Sequence, residues 1–187
     1  MKRGSIYDTL NKVTRRLREE KIDYAVVGAM ALSAHGFRRF TEDVDLLTTP
    51  EGLDAIHQRL VGRGYVPAFP GARKKLRDTE TGVRVDFITS GEYPGDGKPK
   101  PVRFPEPREV SVEREGYSVI TLTKLVELKL VAGLTAADRL KDLADVQELI
   151  KVVKLPRELG EQLDPSVRDE YYRMWDAAQN VWDPSAG

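Results

Sequence analysis

The spacing of apolar and polar residues changes once along the chain, near residue 120. Before that point, short apolar runs are separated by turns that contain glycine or proline, a pattern typical of strands interspersed with helices. After it, apolar residues recur at helical spacing. The pattern predicts an α/β (α+β) fold, with a sheet domain at 1–120 and a helical C-terminal part at 121–187. It leaves open that both parts form one single domain.

The individual elements follow from apolar periodicity and from turn residues. The predicted helices are one that opens at Ser5 and others at 29–35, 50–63, 122–134, 136–153, 157–162 and 165–182. The predicted strands are 24–27, 44–47, 65–66, 73–78, 83–88, 110–112 and 117–120. Two hairpins are expected, one between 73–78 and 83–88 and one between 110–112 and 117–120.

A long segment at 89–108 interrupts the regular pattern. It contains five prolines and three glycines, a density at which no regular element is expected. A loop of this length within a compact domain is usually functional or mobile. We therefore predict that residues 91–107 border the active site and offer Lys98, Lys100 and Arg103 to an anionic acceptor. An inert surface excursion is the alternative.

Composition removes several classes of protein from consideration. The 187 residues include 30 basic and 30 acidic side chains, so the formal net charge of zero argues against a strongly cationic nucleic-acid binder. The absence of cysteine excludes a disulfide framework, thiol catalysis and cysteine-ligated zinc. Without an apolar run of membrane-spanning length or an apolar N-terminus, we expect no membrane span, no signal peptide and a cytoplasmic location. The motifs of P-loop enzymes, dinucleotide oxidoreductases, zincins and α/β-hydrolases are missing.

Two acids two residues apart are the most informative polar positions. Asp43 and Asp45 lie in an apolar strand pattern, and alternate strand residues face the same way, about 6.6 Å apart along the strand. Both carboxylates can converge on hard cations, and two Mg²⁺ ions about 3.5–4 Å apart fit such a pair. Upstream, Gly28 forms a turn before a short helix, where backbone can approach a phosphate closely and the helix N-terminus favours an anion. These features predict a triphosphate and its metals; two solvated acids on an exposed strand are the alternative.

A third candidate acid lies on the strand predicted at 83–88. Alternation places Arg84 and Asp86 on one face of that strand. Asp86 would complete the metal ligands or accept a proton from a nucleophile. The alternative is an Arg84–Asp86 surface pair that contributes about 0.2–1 kcal/mol.

The segment between Gly28 and the acids carries basic residues. Arg38 and Arg39 would neutralise phosphate charge, although a surface role is equally ordinary for Arg38. His35 precedes Gly36 at the predicted end of a helix. We interpret it as a satisfied helix-end histidine and not as a ligand.

The helical part holds a lysine in an apolar setting. Lys129 falls in the middle of the apolar arc of the helix at 122–134, so it either reaches a phosphate or snorkels to water. On the next helix, Arg139 and Asp142 are three residues apart and can pair. Asp145 falls on the polar side of that helical wheel. If Arg139, Asp142 and Asp145 contribute, we expect them to act behind the residues that touch the substrate.

The spaced residues together resemble a known family. Val27-Gly28-Ala29, followed by His35-Gly36-x-x-Arg39-x-Thr41-x-Asp43-x-Asp45, is similar to the nucleotidyltransferase superfamily that includes DNA polymerase β. Within it, the chain is most similar to small bacterial nucleotidyltransferases of the abortive-infection, type IV toxin kind. The segments 125–129 and 139–145 resemble their C-terminal motif. One departure is Ala29, where the pattern has glycine or serine, so a hydroxyl contact with phosphate is lost.

This resemblance implies a fold and a reaction. The fold would be a mixed central β-sheet flanked by helices. The reaction would use Mg²⁺, with two ions expected, and a nucleoside triphosphate such as ATP. An acceptor hydroxyl would attack the α-phosphate, and pyrophosphate would leave. The acceptor would be a tRNA 3′ end, a protein side chain or a small molecule, and a cognate antitoxin would be a further partner.

The resemblance also assigns roles to residues. Asp43, Asp45 and Asp86 would hold the metals, with Asp86 as the candidate base. The expected nucleotide-binding residues are Gly28, Ala29, Arg39, Thr41 and Lys129, and Lys129 would also count among the catalytic residues.

Two other classes of function stay open. One is a non-catalytic nucleotide- or partner-binding module that retains the fold. The other is an antitoxin-like or scaffold protein that acts through its last helix, which an exposed aromatic stripe at Tyr171, Trp175 and Trp182 would favour.

Overall fold

The structure, a computed structural model, describes residues 3–179, with side chains from Ile6 onward. The chain forms two compact units. The sheet unit contains the residues up to Glu92 together with Phe104–Thr121, and the helical unit contains Tyr93–Arg103 together with the residues from Leu122 on. The loop residues Tyr93–Arg103 thus cluster with the helices, although the predicted boundary at residue 120 assigned them to the sheet.

A seven-stranded mixed sheet with helices along it forms the sheet unit, which confirms the predicted fold class. The helices are α1 (Arg3–Glu19), α2 (Gly28–Ala34), α3 (Pro50–Arg59) and the short α4 (Pro107–Val110). The strands are β1 (Tyr24–Val26), β2 (Asp43–Thr48), β3 (Tyr65–Pro67), β4 (Lys75–Asp78), β5 (Arg84–Thr89), β6 (Ser111–Arg114) and β7 (Tyr117–Ile120). Their order across the sheet is β3-β4-β5-β2-β1-β7-β6.

Two central strands carry the acidic residues. β2 pairs in parallel with β5 on one side and antiparallel with β1 on the other. The parallel register places Asp45 opposite Asp86 and Asp43 opposite Arg84. Residues that lie directly opposite each other in a sheet share a face, so this register brings the side chains of both strands together.

Apolar side chains explain why these strands are central. Four of the six residues of β2 are buried, and Val44, Leu46 and Leu47 are fully enclosed. On β5, Val85 and Phe87 are buried on the face opposite Asp86. The core excludes water from the inner part of each strand, and the acids lie where β2 and β5 begin.

Helix ends in the sheet unit follow local capping chemistry. α3 begins at Pro50, and the Thr49 side chain accepts a hydrogen bond of 2.8 Å from the Gly52 N–H. The helix ends at Arg59, so the predicted end at residue 63 is wrong. The chain turns after Leu60 through Gly62, which has a positive φ of 77°.

Up to residue 179, the helical unit contains three longer helices with irregular connections. These helices are α5 (Leu122–Thr135), α6 (Leu140–Leu149) and α7 (Pro165–Gln179). A 3₁₀ turn at Ala137–Arg139 precedes α6, and a π turn at Ile150–Lys154 follows it, so the single helix predicted at 136–153 is wrong in its ends. A second 3₁₀ segment, Arg157–Gln162, precedes α7.

Close packing joins α5 to α6. A Cβ atom at Gly133 would lie 2.5 Å from the Leu143 side chain, so only glycine permits this approach of the two helices. The short distance brings the facing side chains of α5 and α6 into direct contact.

The aromatic residues of α7 mainly serve packing. Tyr171 is buried, its hydroxyl donates to the Pro156 carbonyl at 2.8 Å, and burial raises its pKa to about 12. The half-buried Trp175 donates from its indole N–H to the Leu155 carbonyl at 2.8 Å. Trp182, the third member of the predicted stripe, lies outside the described residues. The two described members therefore give no support to an exposed docking stripe.

None of the helices within residues 3–179 combines the length and the apolar composition that a bilayer crossing requires.

Candidate metal centre

Three carboxylates meet on one face of the sheet unit. Asp43 and Asp45 alternate on β2, and Asp86 lies opposite Asp45 on β5. Each offers one carboxylate oxygen that lies within 4.8 Å of the oxygens offered by the other two. All three side chains are half-buried. The expectation that Asp86 shares a face with Asp43 and Asp45 is therefore confirmed.

The arrangement of oxygen atoms fits a hard divalent cation. Carboxylate oxygens are the ligands that Mg²⁺ prefers in proteins. Asp86 Oδ1 is buried and accepts no hydrogen bond from the described residues. This oxygen has an ion pair with Arg84 but no hydrogen bond, so its lone pairs are incompletely satisfied, and a metal ion would satisfy them.

Two basic side chains also contact this acidic cluster. Arg84 Nη2 donates to Asp43 Oδ2 at 2.6 Å, and this hydrogen bond raises the pKa of Arg84. Arg84 Nε lies 2.9 Å from Asp86 Oδ1, a contact that is an ion pair without the geometry of a hydrogen bond. Lys75 Nζ donates to Asp86 Oδ2 at 2.9 Å. The Arg84–Asp86 pair proposed as the alternative thus exists together with the acidic cluster.

Gly28 lies directly against one of the acids. A Cβ atom at Gly28 would be 2.1 Å from Asp45 Oδ2, and the residue has a positive φ of 61°. The backbone N–H of Val27 donates to the Asp45 carbonyl at 3.0 Å. Gly28 therefore makes room for the Asp45 carboxylate at the start of α2, a contact that the sequence did not reveal.

Replacing Gly28 by alanine is expected to damage the metal centre as well as the backbone. The left-handed conformation alone costs about 1–2 kcal/mol for a residue with a Cβ. Gly82→Ala is a matched control, because Gly82 also has a positive φ (74°) but open space around its Cβ position. Urea unfolding should show a loss for both variants, and titration with Mn²⁺ should show weaker binding only for Gly28→Ala. Equal Mn²⁺ affinity in the two variants would contradict the packing argument.

The other residues predicted near the acids take distinct positions. Thr41 lies 2.9 Å from Asp43 Oδ1 and 3.0 Å from the Asp43 carbonyl, and its hydroxyl donates to one or the other. Arg39 is half-buried in the irregular segment that leads to β2, and Ala29 is half-buried in the first turn of α2. His35 caps α2, and its Nε2 lies 2.7 Å from the Ile120 carbonyl, which confirms its interpretation as a satisfied helix-end residue. Burial lowers the pKa of His35.

A second charged cluster lies within the helical unit. Lys129 Nζ on α5 donates to Asp142 Oδ1 and to Asp145 Oδ2 of α6, both at 2.8 Å. The side chains of Lys129, Asp142 and Asp145 are only 10%, 3% and 7% exposed. The snorkelling alternative for Lys129 is therefore wrong. The predicted pair between Arg139 and Asp142 is confirmed, with Arg139 Nε donating to Asp142 Oδ2 at 2.7 Å.

The buried position of Asp145 corrects the helical-wheel interpretation. The buried residues of α6 are Asp142, Asp145, Val146 and Leu149. Their spacing of i, i+3, i+4 and i+7 is that of a buried helical stripe. Two acids at the start of such a stripe require a buried cation, and Lys129 supplies it. This spacing of two acids with two apolar residues was the feature of the sequence that could have predicted the burial of Asp145.

The basic residues of the long loop are not equivalent. Lys100 Nζ donates to the Pro94 carbonyl at 2.7 Å and pairs with Asp96, so this lysine is used within its own loop. Lys98 and Arg103 are exposed. The prediction that all three cations are available to an acceptor is therefore wrong for Lys100.

Comparisons with known proteins identify the fold. No protein-family model and no curated protein matches the sequence. A solved Thermotoga maritima structure, described as that of a candidate nucleotidyltransferase, is similar with a TM-score of 0.54 and 22% identity, over 77% of this chain and 93% of that one. A Helicobacter pylori structure described in the same way is similar with a TM-score of 0.51 and 14% identity, over 96% and 95% of the two chains. The chain thus has the fold of these proteins.

Proposed function

We propose that this protein is a magnesium-dependent nucleotidyltransferase that moves a nucleoside monophosphate from a nucleoside triphosphate to an acceptor hydroxyl. The observation that carries the proposal is the cluster of Asp43, Asp45 and Asp86 on neighbouring strands of this fold. Oxygen ligands in this number suit Mg²⁺, and two such ions would assist an in-line displacement at phosphorus.

The reaction assigns a task to each side chain of the cluster. Asp43, Asp45 and Asp86 would hold the Mg²⁺ ions. When bound, these ions would activate the attacking oxygen and stabilise the negative charge on the leaving oxygen. The acceptor oxygen forms a bond to the α-phosphorus, the bond from that phosphorus to the bridging oxygen breaks, and pyrophosphate leaves. Asp86 accepts the proton of the acceptor hydroxyl.

The nucleotide would occupy the space beside the first turn of α2. We assign the phosphate contacts to the backbone at Gly28 and Ala29 and to Arg39, whose guanidinium suits phosphate oxygens. Thr41 holds Asp43 through its hydroxyl, so its contribution to nucleotide binding would be indirect.

The geometry around Lys129 changes its proposed role. Its ammonium uses two of its three N–H groups on buried carboxylates, and the Lys129 side chain is only 10% exposed, so it offers little to a triphosphate. We therefore assign Lys129, Asp142 and Asp145 to holding α5 against α6, with Arg139 as an additional partner of Asp142.

A screen for label transfer tests the proposal and identifies the acceptor. The protein is incubated with Mg²⁺ and each of four α-³²P-labelled nucleoside triphosphates, in the presence of separate pools of tRNA, protein and small molecules. We expect one pool to become labelled and chelation of the metal to abolish the transfer. No labelled product with any triphosphate in any pool would favour the non-catalytic module.

The loop cations give a prediction about the acceptor. Replacing both Lys98 and Arg103 by alanine is expected to weaken use of an anionic acceptor and to flatten the dependence of transfer on salt concentration, because phosphate contacts release counterions. Lys141→Ala with Lys151→Ala removes the same charge from exposed positions on and after α6 and serves as the control. The comparison is made by transfer kinetics at several salt concentrations. If both double variants have the same salt slope, the loop is an inert excursion.

The proposal also includes a biological role, a preferred triphosphate and a location in the cell. A toxin-like role with a cognate antitoxin and ATP as the triphosphate rest on the resemblance of the sequence, and a cytoplasmic location is the default expectation from its composition. The alternative of a non-catalytic binding module is disfavoured by the close grouping of all three carboxylates, since a binding module has no need of them.

A further inference from the structure

One basic side chain reaches two of the three acids at once. Arg84 lies opposite Asp43 in the parallel register of β2 and β5 and two residues before Asp86 on its own strand. Its guanidinium contacts Asp43 Oδ2 at 2.6 Å and approaches Asp86 Oδ1 at 2.9 Å. The Arg84 side chain is 42% exposed, so its movement away from the acids requires no repacking of the core.

The oxygens that Arg84 contacts belong to the carboxylates that would bind the metal. Three carboxylates within 4.8 Å repel one another unless a cation lies among them. A guanidinium and a divalent cation use the same carboxylate lone pairs and also repel each other. The guanidinium and the metal ion therefore cannot both be fully bound to Asp43 and Asp86 at the same time.

We propose that Arg84 is a built-in competitor of the metal, an inference that rests on the proposed function. In the metal-free protein its guanidinium neutralises Asp43 and Asp86, and metal binding releases it. The released guanidinium remains on the same face of the sheet, where it becomes a bidentate donor for the phosphate oxygens of the triphosphate. Metal and triphosphate binding are thereby coupled, because each favours the state in which Arg84 has left the acids.

The fraction of time that Arg84 occupies the acids determines how much it weakens metal binding. The apparent dissociation constant rises in inverse proportion to the fraction of molecules that are competent to bind, so an arginine that occupies the acids about nine tenths of the time weakens metal binding about tenfold. Removing the guanidinium should recover that factor. A residue that only positions the acids would have the opposite effect, because its loss would weaken metal binding.

The test is the affinity of the metal alone. Free Mn²⁺ is measured by electron paramagnetic resonance during titration of the wild-type protein, Arg84→Ala and Arg77→Ala. Arg77 is a matched control: it lies opposite Arg84 in the register of β4 and β5, but its guanidinium donates to the Gly82 carbonyl at 2.9 Å. It therefore reports the general effect of removing one positive charge from this face.

We expect Arg84→Ala to bind Mn²⁺ about tenfold more tightly than Arg77→Ala. In chelator, the melting temperature of Arg84→Ala should be lower than that of the wild type. Mn²⁺ should raise the melting temperature of this variant by more than it raises that of the wild type. The KM for the triphosphate should rise in the same variant, because the phosphate contact is lost. Tighter Mn²⁺ binding with an unchanged KM would keep the competition and overturn the phosphate contact.

Two results would overturn the competition itself. Mn²⁺ affinity in Arg84→Ala that equals or falls below that of Arg77→Ala, while the wild type binds the metal, would refute it and leave the proposed function intact. If neither the wild type nor the variants bind Mn²⁺, the metal centre and the proposed function fail together. Arg84→Gln removes the charge but keeps hydrogen-bonding capacity, and it replaces Arg84→Ala in the same titration should the alanine variant fail to fold.

Discussion

Replacing Asp45 by asparagine is expected to lower the rate of nucleotide transfer about 100-fold or more, because a ligand of the activating metal loses its charge. The substitution preserves the shape of the side chain beside Gly28, so the close contact between Asp45 and the start of α2 is retained. The measurement is the initial rate of label transfer at saturating triphosphate, with Mn²⁺ affinity determined on the same preparation.

Glu42→Gln is the matched control for this variant. Glu42 is an exposed acid immediately before β2, so the substitution removes the same charge outside the acidic cluster. We expect transfer by Glu42→Gln to stay close to that of the wild type. If Asp45→Asn retains full activity, Asp45 does not hold a catalytic metal.

The largest expected effect on stability comes from Lys129. If Lys129 contacted a triphosphate from the apolar arc, Lys129→Met would be at least as stable as the wild type, because methionine keeps most of the stem packing and removes only the charge. The observed contacts reverse this expectation: the substitution leaves the buried carboxylates of Asp142 and Asp145 without their shared cation. Breaking a buried pair in this way typically costs about 3–5 kcal/mol. Urea unfolding measures the loss.

A rescue variant distinguishes two costs: that of buried carboxylates that have lost their shared cation, and that of lost packing around residue 129. Adding Asp142→Asn and Asp145→Asn to Lys129→Met removes both carboxylates, so most of the lost stability should return, and the full cycle of variants gives the coupling energy. A loss below about 1 kcal/mol in Lys129→Met, within the range of an exposed ion pair, would show that the cluster is weak.

Part of the acidic centre could be predicted because the geometry of one strand is local. Alternation along that strand fixes the shared face of Asp43 and Asp45, and a second predicted strand offers Asp86 as a third acid. The register that places Asp45 opposite Asp86 could not be read from the sequence, because β2 and β5 pair in parallel across an intervening helix and two strands. Such a long-range pairing leaves no local signal.

The contacts of Gly28 and Lys129 were missed for a related reason. A glycine before a helix suggests that a phosphate can approach the backbone, but the space on the Cβ side of Gly28 accommodates Asp45, a residue 17 positions later in the chain. The helical wheel treats every acid as solvent-facing, although Asp142 and Asp145 lie on the buried stripe of α6 because α5 presents Lys129 to them. In both cases the partner is known only after two elements have packed together.

We expect this protein to transfer the nucleoside monophosphate part of a triphosphate in a metal-dependent reaction. The most direct test compares α-³²P-labelled with γ-³²P-labelled triphosphate in the wild type and in Asp45→Asn, with Mg²⁺ and with chelator. Nucleotidyl transfer predicts that the acceptor retains only the α-label, that the γ-label appears in pyrophosphate, that chelator removes both signals, and that Asp45→Asn lowers both about 100-fold or more. Transfer of the γ-label to the acceptor, or α-label transfer at the full rate in chelator and in Asp45→Asn, would contradict it.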